Sequence, residues 1–99
     1  MISTTYGHFW IKFENGYIVS IFNGFGSYSE NHFNYKMFKK YQNKINPLID
    51  KCETKDCEVA VMHNDIFCTR QFINCDDSVI GYVSADEVAD IIKKVKEAK

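Results

Sequence analysis

The chain has 99 residues, 45% of them hydrophobic and 15% aromatic, which suffices for one core and not for a second domain, so a single compact domain over residues 1–99 is expected. A formal charge of −1 lacks both the basic excess of a bulk nucleic-acid binder and the acidic excess of a DNA mimic. No apolar run approaches the roughly 20 residues needed to span a bilayer, and no basic segment precedes a signal-type apolar stretch, so we expect a cytosolic protein without a membrane partner.

The first element is the run GHFWIKFENGYIVSIFNG (residues 7–24). Asn15-Gly16 suits the positive φ angles of a two-residue type I′ hairpin turn. That turn makes Glu14 face Tyr17, Phe13 face Ile18, Ile11 face Ser20 and Phe9 face Phe22. One side then carries Phe9, Ile11, Phe13, Ile18 and Phe22 as a core face. The other carries His8, Trp10, Lys12, Tyr17, Val19 and Ile21, where Trp10, Tyr17 and Ile21 form a candidate partner-binding patch.

Next comes NGFGSYSENHFNY (residues 23–35), which mixes small polar residues with four aromatic rings. Gly24 and Gly26 can let backbone amides approach an anion, and Ser27, Ser29 and Asn31 add short hydrogen-bonding groups. Tyr28 and Phe25 can stack on a flat ring, and Glu30 lies beside them. The stretch lacks the lysine and helix start of a P-loop. Two readings follow: a connection whose aromatics plug the core, or a ligand pocket lined by Tyr28, Ser29 and Glu30.

Phe33, Met37, Phe38, Tyr41 and Ile45 recur at helical spacing, which predicts a helix over about 34–45 that ends before Pro47. Lys36, Lys39, Lys40 and Lys44 populate its remaining surface, either as a solvated face or as a phosphate-binding one. A second hairpin reads CEVAVMH, Asn64-Asp65, IFCTRQFI, with His63 opposite Ile66 whether the loop has two or four residues. Cys57, Val59, Val61, His63, Ile66, Cys68, Arg70 and Phe72 then share one face, and Arg70 there needs an anionic partner. A short strand over Val79–Val83 precedes a capping box at Ser84-Ala85-Asp86-Glu87 and a helix whose stripe is Val88, Ile91, Ile92 and Val95. The order predicts an α+β domain: a mostly antiparallel sheet of about five strands packed with two helices.

Cys52, Cys57, Cys68 and Cys75 lack the paired C-x2-C spacing of a zinc site. Cys68 falls opposite Val61, which leaves Cys57 roughly 13 Å away along the neighbouring strand, too far to share an ion. Cys52 and Cys75 alone fall near enough to bridge; otherwise the thiols are reduced small hydrophobes. His8, His32 and His63 with Glu30 could do acid–base work, but no nucleophile accompanies them. We therefore expect no metal, no cofactor and no catalytic residue.

The blocks GYIVSIFNGFGSYSEN, CEVAVMHNDIFCTRQF and DDSVIGYVSADEVADII resemble a group of small bacteriophage proteins, over most of the chain apart from the lysine-rich helix. The resemblance carries no functional residue over. It implies a small phage protein acting in the host cytoplasm, a context in which such proteins counter bacterial defence. The leading expectation is non-enzymatic capture of a small anionic, nucleotide-like signal by Gly24, Gly26, Ser27, Tyr28, Ser29, Glu30, Asn31, Lys36 and Arg70. The alternative is direct inhibition of a host defence protein such as a CRISPR effector through Trp10, Tyr17 and Ile21. In either case an edge strand could pair with a second copy to give a homo-oligomer.

Overall fold

The computed structural model describes residues 1–5, 7–36, 39 and 53–99. Six strands form one antiparallel sheet: β1 (Ile2–Thr5), β2 (His8–Lys12), β3 (Tyr17–Phe22), β4 (Asp56–His63), β5 (Ile66–Phe67) and β6 (Ile80–Ser84). The order is β1-β2-β3-β4-β5, with β6 paired to the first half of β4 and β5 to its end. One α-helix, α1 (Ala85–Lys96), packs on β3, β4 and β6. A 3-10 turn over Thr69–Gln71 follows β5. The α+β class is as expected, with one strand more; the expected helix over 34–45, with Lys40 and Lys44, lies mostly outside the described residues. The added strand is β1, whose Ile2, Thr4 and Thr5 are β-branched and whose turn into β2 contains Gly7 at φ +72°.

The first hairpin departs from expectation by one residue. Its pairs are His8 with Phe22, Phe9 with Ile21, Trp10 with Ser20, Ile11 with Val19 and Lys12 with Ile18. Phe13 N–H donates to the Tyr17 carbonyl at 2.9 Å and Gly16 N–H donates to the Phe13 carbonyl at 3.0 Å. The loop is thus three residues, Glu14-Asn15-Gly16, and Gly16 alone takes the left-handed conformation, at φ +88°. The Asn15 side chain of this loop also reaches far along the chain: its amide donates to the carbonyls of Val95 (2.9 Å), Lys96 (3.3 Å) and Ala98 (3.0 Å) at the end of α1.

This slip exchanges the faces of β3. Tyr17, Val19 and Ile21 share a face with Phe9 and Ile11, while Ile18, Ser20 and Phe22 join His8, Trp10 and Lys12. Val19 is fully buried, and with Cys57, Val59, Val61, Val83, Ile91 and Val95 it makes the core. Each such side chain contributes on the order of 1.5–3 kcal/mol. Phe13, Tyr17, Ile21, Phe72, Val88 and Ile92 pack around it.

The remaining elements follow their local signals more closely. Asn64 and Asp65 adopt φ +53° and +63°, a two-residue turn that pairs His63 with Ile66 as expected. Ser84 caps α1 by accepting from Glu87 N–H at 3.3 Å, and the Glu87 carboxylate accepts from Ser84 N–H at 3.3 Å, the reciprocal box read from the sequence. The expected strand through Phe72 stops at Phe67. Thr69 is the reason: its hydroxyl accepts Val61 N–H at 2.9 Å and donates to the Ser78 carbonyl at 2.6 Å, replacing strand pairing with a side-chain bridge. No described helix is long and apolar enough to cross a membrane.

Candidate functional site

The segment from Asn23 to Tyr35 is built with its polar residues inside and most of its rings outside. Ser27, Ser29 and Asn31 are buried, at 0%, 2% and 6% exposure, while Tyr28, Phe33 and Tyr35 are exposed at 49%, 71% and 61%. The Ser27 hydroxyl donates to the Gly24 carbonyl at 2.6 Å and meets the Ser29 hydroxyl at 2.7 Å. Ser29 Oγ accepts from Asn31 N–H at 3.1 Å, and the Asn31 amide donates to the Asn23 carbonyl at 2.8 Å. Burial without partners would cost each group about 1–3 kcal/mol, so these bonds fix the loop. Gly26, at φ +85°, supplies the one left-handed residue of this turn.

The loop is also tied to the sheet. Glu30 N–H donates to Asp56 Oδ1 at 2.8 Å and Lys55 N–H donates to Glu30 Oε1 at 2.8 Å, a reciprocal clasp at the start of β4. Tyr28 N–H donates to Glu58 Oε1 at 3.3 Å, and the Tyr28 carbonyl accepts Tyr82 N–H from β6 at 2.8 Å. Gly81 is the contact point, because a Cβ there would stand 2.6 Å from Tyr28 Cβ. Tyr82, at φ +55°, bulges outward and is 59% exposed. The outward rings form a connected set: Tyr28 stacks on His32 at 5.4 Å and 10°, and Phe33 meets His32 edge-on at 4.4 Å. Phe25 and Tyr35 form a second pair in the same loop at 5.7 Å.

The loop departs from the connection reading in its rings, not in its polar residues. The rings of Tyr28, Phe33 and Tyr35 do not plug the core, and the hydrogen bonds described for Ser27, Ser29 and Asn31 hold the chain reversal together. Glu30 is exposed and serves the clasp, and Lys36 is exposed. Arg70 is not on a strand face; it sits in the 3-10 turn and donates to the Asp76 carbonyl at 2.7 Å. Its neighbour Thr69 marks Val61, whereas the loop grips Asp56 and Glu58, so the two regions are separated by about 10 Å or more along β4. They do not converge. A shallow hollow of about 250 Å³ lined by Phe67, Cys68, Thr69, Arg70, Gln71 and Ser78 belongs to the Arg70 side alone.

The Trp10, Tyr17, Ile21 patch is divided by the slipped register. Tyr17 and Ile21 face the core, where Tyr17 stacks on His63 at 4.3 Å and meets Phe72 edge-on at 5.4 Å, and Trp10 is on the opposite face. The same slip creates a contact that the sequence reading missed: His8 Nε2 lies 2.6 Å from Ser20 Oγ. Among the described residues no carboxylate meets the other ring nitrogen of His8, so the pair lacks the orienting third member of a catalytic triad. Asn15-Gly16, read as a three-residue loop, would have exposed this contact.

Among the described residues no cluster of His, Cys, Asp and Glu could hold a metal ion. Cys57, Cys68 and Cys75 are free thiols, and the proposed partner of Cys75, Cys52, lies outside the described residues. The Cys57 thiol is pushed up to about 11, first by burial and then by the charges of Asp56 and Glu58, and it donates to the Val83 carbonyl at 3.6 Å. Burial also raises the Cys68 thiol. Both are therefore poor nucleophiles near neutral pH. Comparison of the chain with protein-family models, curated proteins and solved structures returned no match.

Proposed function

We propose that the protein is a non-enzymatic binding module that counters a host defence by docking its aromatic loop onto a defence protein. The observation that carries this reading is the orientation of the 23–35 segment: rings outward on a frame of buried hydrogen bonds. Aromatic side chains held on a rigid frame offer large contact area with little ordering entropy left to lose, the usual character of an interface anchor. The docking surface is then Tyr28, His32, Phe33, Tyr35 and Tyr82, in place of the divided Trp10, Tyr17, Ile21 patch. The defence setting rests on the resemblance of the three sequence blocks to small phage proteins.

The test is phage plating on cells that carry a defined defence system, a CRISPR effector among them, with the protein supplied from a plasmid. A Tyr28→Ala, Phe33→Ala double variant with an unchanged circular dichroism spectrum should lose the rescue of plating. Full rescue by that variant would overturn the reading. Capture of a nucleotide-like signal keeps one supporting observation, the flat Tyr28–His32 stack, which could extend to a base. Calorimetry against cyclic nucleotides and ADP-ribose derivatives separates the two: heat with a nucleotide and none with the defence protein would favour capture.

A further inference from the structure

The two sides of the sheet end differently. On one side β5 is two residues long, and β6 carries the Tyr82 bulge whose N–H is taken by the Tyr28 carbonyl. Short strands, bulges and covering loops are the ordinary means of blunting an edge. On the other side β1 reads Ile2-Ser3-Thr4-Thr5, with no charge, proline or bulge. Met1 and Ile2 are 75% and 65% exposed.

The hydrogen-bond alternation of an antiparallel ladder tells which groups of β1 are spare. Met1 and Lys12 exchange two bonds, Met1 N–H to the Lys12 carbonyl at 3.0 Å and Lys12 N–H to the Met1 carbonyl at 2.8 Å. Pairing then continues through Ile2 with Ile11, Ser3 with Trp10 and Thr4 with Phe9. Met1, Ser3 and Thr5 therefore turn their backbone groups to β2. Ile2 and Thr4 turn theirs outward, where no described residue pairs with them.

We infer that β1 pairs antiparallel with β1 of a second copy, about a two-fold axis at Ser3, so that two sheets join into one. In that register Ile2 of each copy faces Thr4 of the other, and each such pair exchanges two N–H to carbonyl bonds. The spacing of the spare groups matches itself, as an isologous contact requires. Ile2–Thr5 carry no charged side chain, and with the two-fold at Ser3 the two Met1 ammonium groups fall at opposite ends of the joined strands, so repulsion does not oppose self-pairing. Ile2 and Thr4 share their sheet face with Ile11 and Phe9, while α1 packs on β3, β4 and β6. Joining two copies sets these apolar positions side by side across the two-fold, which favours a second copy over a polar extended peptide.

Sedimentation velocity over a concentration series tests the inference. The wild-type chain should approach twice its 11.5 kDa mass. Thr4→Pro removes an outward N–H and leaves the β2-facing bonds in place, so it should remain folded and sediment as a monomer. A wild-type monomer at every concentration, or a dimer that survives Thr4→Pro, would overturn the proposal. Should Thr4→Pro perturb the fold, amide exchange of the wild type decides: Thr4 N–H should gain protection as concentration rises. Protection that does not change with concentration, or a new complex with extended peptides in place of the dimer, counts against self-pairing.

Discussion

The two hairpins of the sheet turn on similar pairs, Asn15-Gly16 and Asn64-Asp65, yet the pairs behave differently. At Asn64-Asp65 both residues are left-handed and the strands continue in the register that the turn sets by itself. At Asn15-Gly16 only Gly16 is left-handed, a third residue enters the loop, and the Asn15 amide is 80 residues away from the chain it binds at Val95. One turn is governed by its own backbone preferences. The other also holds a helix end, where orphan carbonyls gather negative charge and accept from a donor. The three-residue loop sets the register of β2 against β3, and through it the composition of both sheet faces.

The sharpest way to break this contrast is at Gly16. Its φ of +88° penalises any L side chain, and a Cβ would come 3.2 Å from His63 Nε2. Gly16→Ala should cost about 2 kcal/mol and lower the melting temperature by roughly 10 °C in a domain of this size, read by calorimetry. Asn15→Ala comes next, at about 1–2 kcal/mol, because it removes the donor shared by Val95, Lys96 and Ala98. Amide exchange in the last turn of α1 should rise with it. Asn15→Asp keeps the acceptor that Tyr17 N–H uses at 3.1 Å but sets a negative charge against the helix end, so it should be no better than alanine. An Asn15→Asp protein as stable as wild type would show that the bonds from Asn15 to the helix end contribute nothing to stability.

This contrast also explains what could be read from the chain beforehand. Ser84 with Glu87, and Asn64 with Asp65, act within four residues, and both were legible. The divided Trp10 patch and the His8–Ser20 contact depend on which residues of β2 and β3 lie opposite one another, and one misjudged turn shifts every such pair. In the 23–35 loop, composition left the orientation of the aromatic rings undecided. Serine and asparagine were read as capping the chain reversal or lining a pocket, and aromatics as facing core or ligand; the loop buries its polar groups as a frame and turns Tyr28, Phe33 and Tyr35 outward. Hydrogen bonds between residues two to eight apart, such as Asn31 to Asn23, leave no periodic trace in a sequence.

A gentler perturbation is alkaline pH. Cys57 on β4 is held protonated in the folded chain, with its thiol raised from 9.0 to about 11. Folding stability from this group is fully present below pH 9 and is lost as pH climbs from 9 toward 11, since the unfolded chain releases the proton first. Denaturant midpoints should therefore fall across that window, and Cys57→Ala should flatten the fall. Labelling of the Cys57 thiol at pH 8, read by peptide mapping to separate it from the more accessible Cys68 and Cys75, should be slow in the wild type and faster in Gly16→Ala, because β3 covers β4 only while the first hairpin holds.

The smallest effect belongs to the turn that already satisfies itself. Asp65 sits at φ +63° with a side chain that this conformation disfavours, and Asp65→Gly relieves that cost while adding backbone freedom to the unfolded chain. The two nearly offset, so the expected change is a stabilisation of about 0.5 kcal/mol or less, seen as a small rise in the urea midpoint at constant slope. Amide exchange at the end of α1 should stay as it was. If Asp65→Gly instead loosened that helix end as Asn15→Ala does, the second turn would share the first one's long-range control, and the difference between the hairpins would lie in their loop lengths alone.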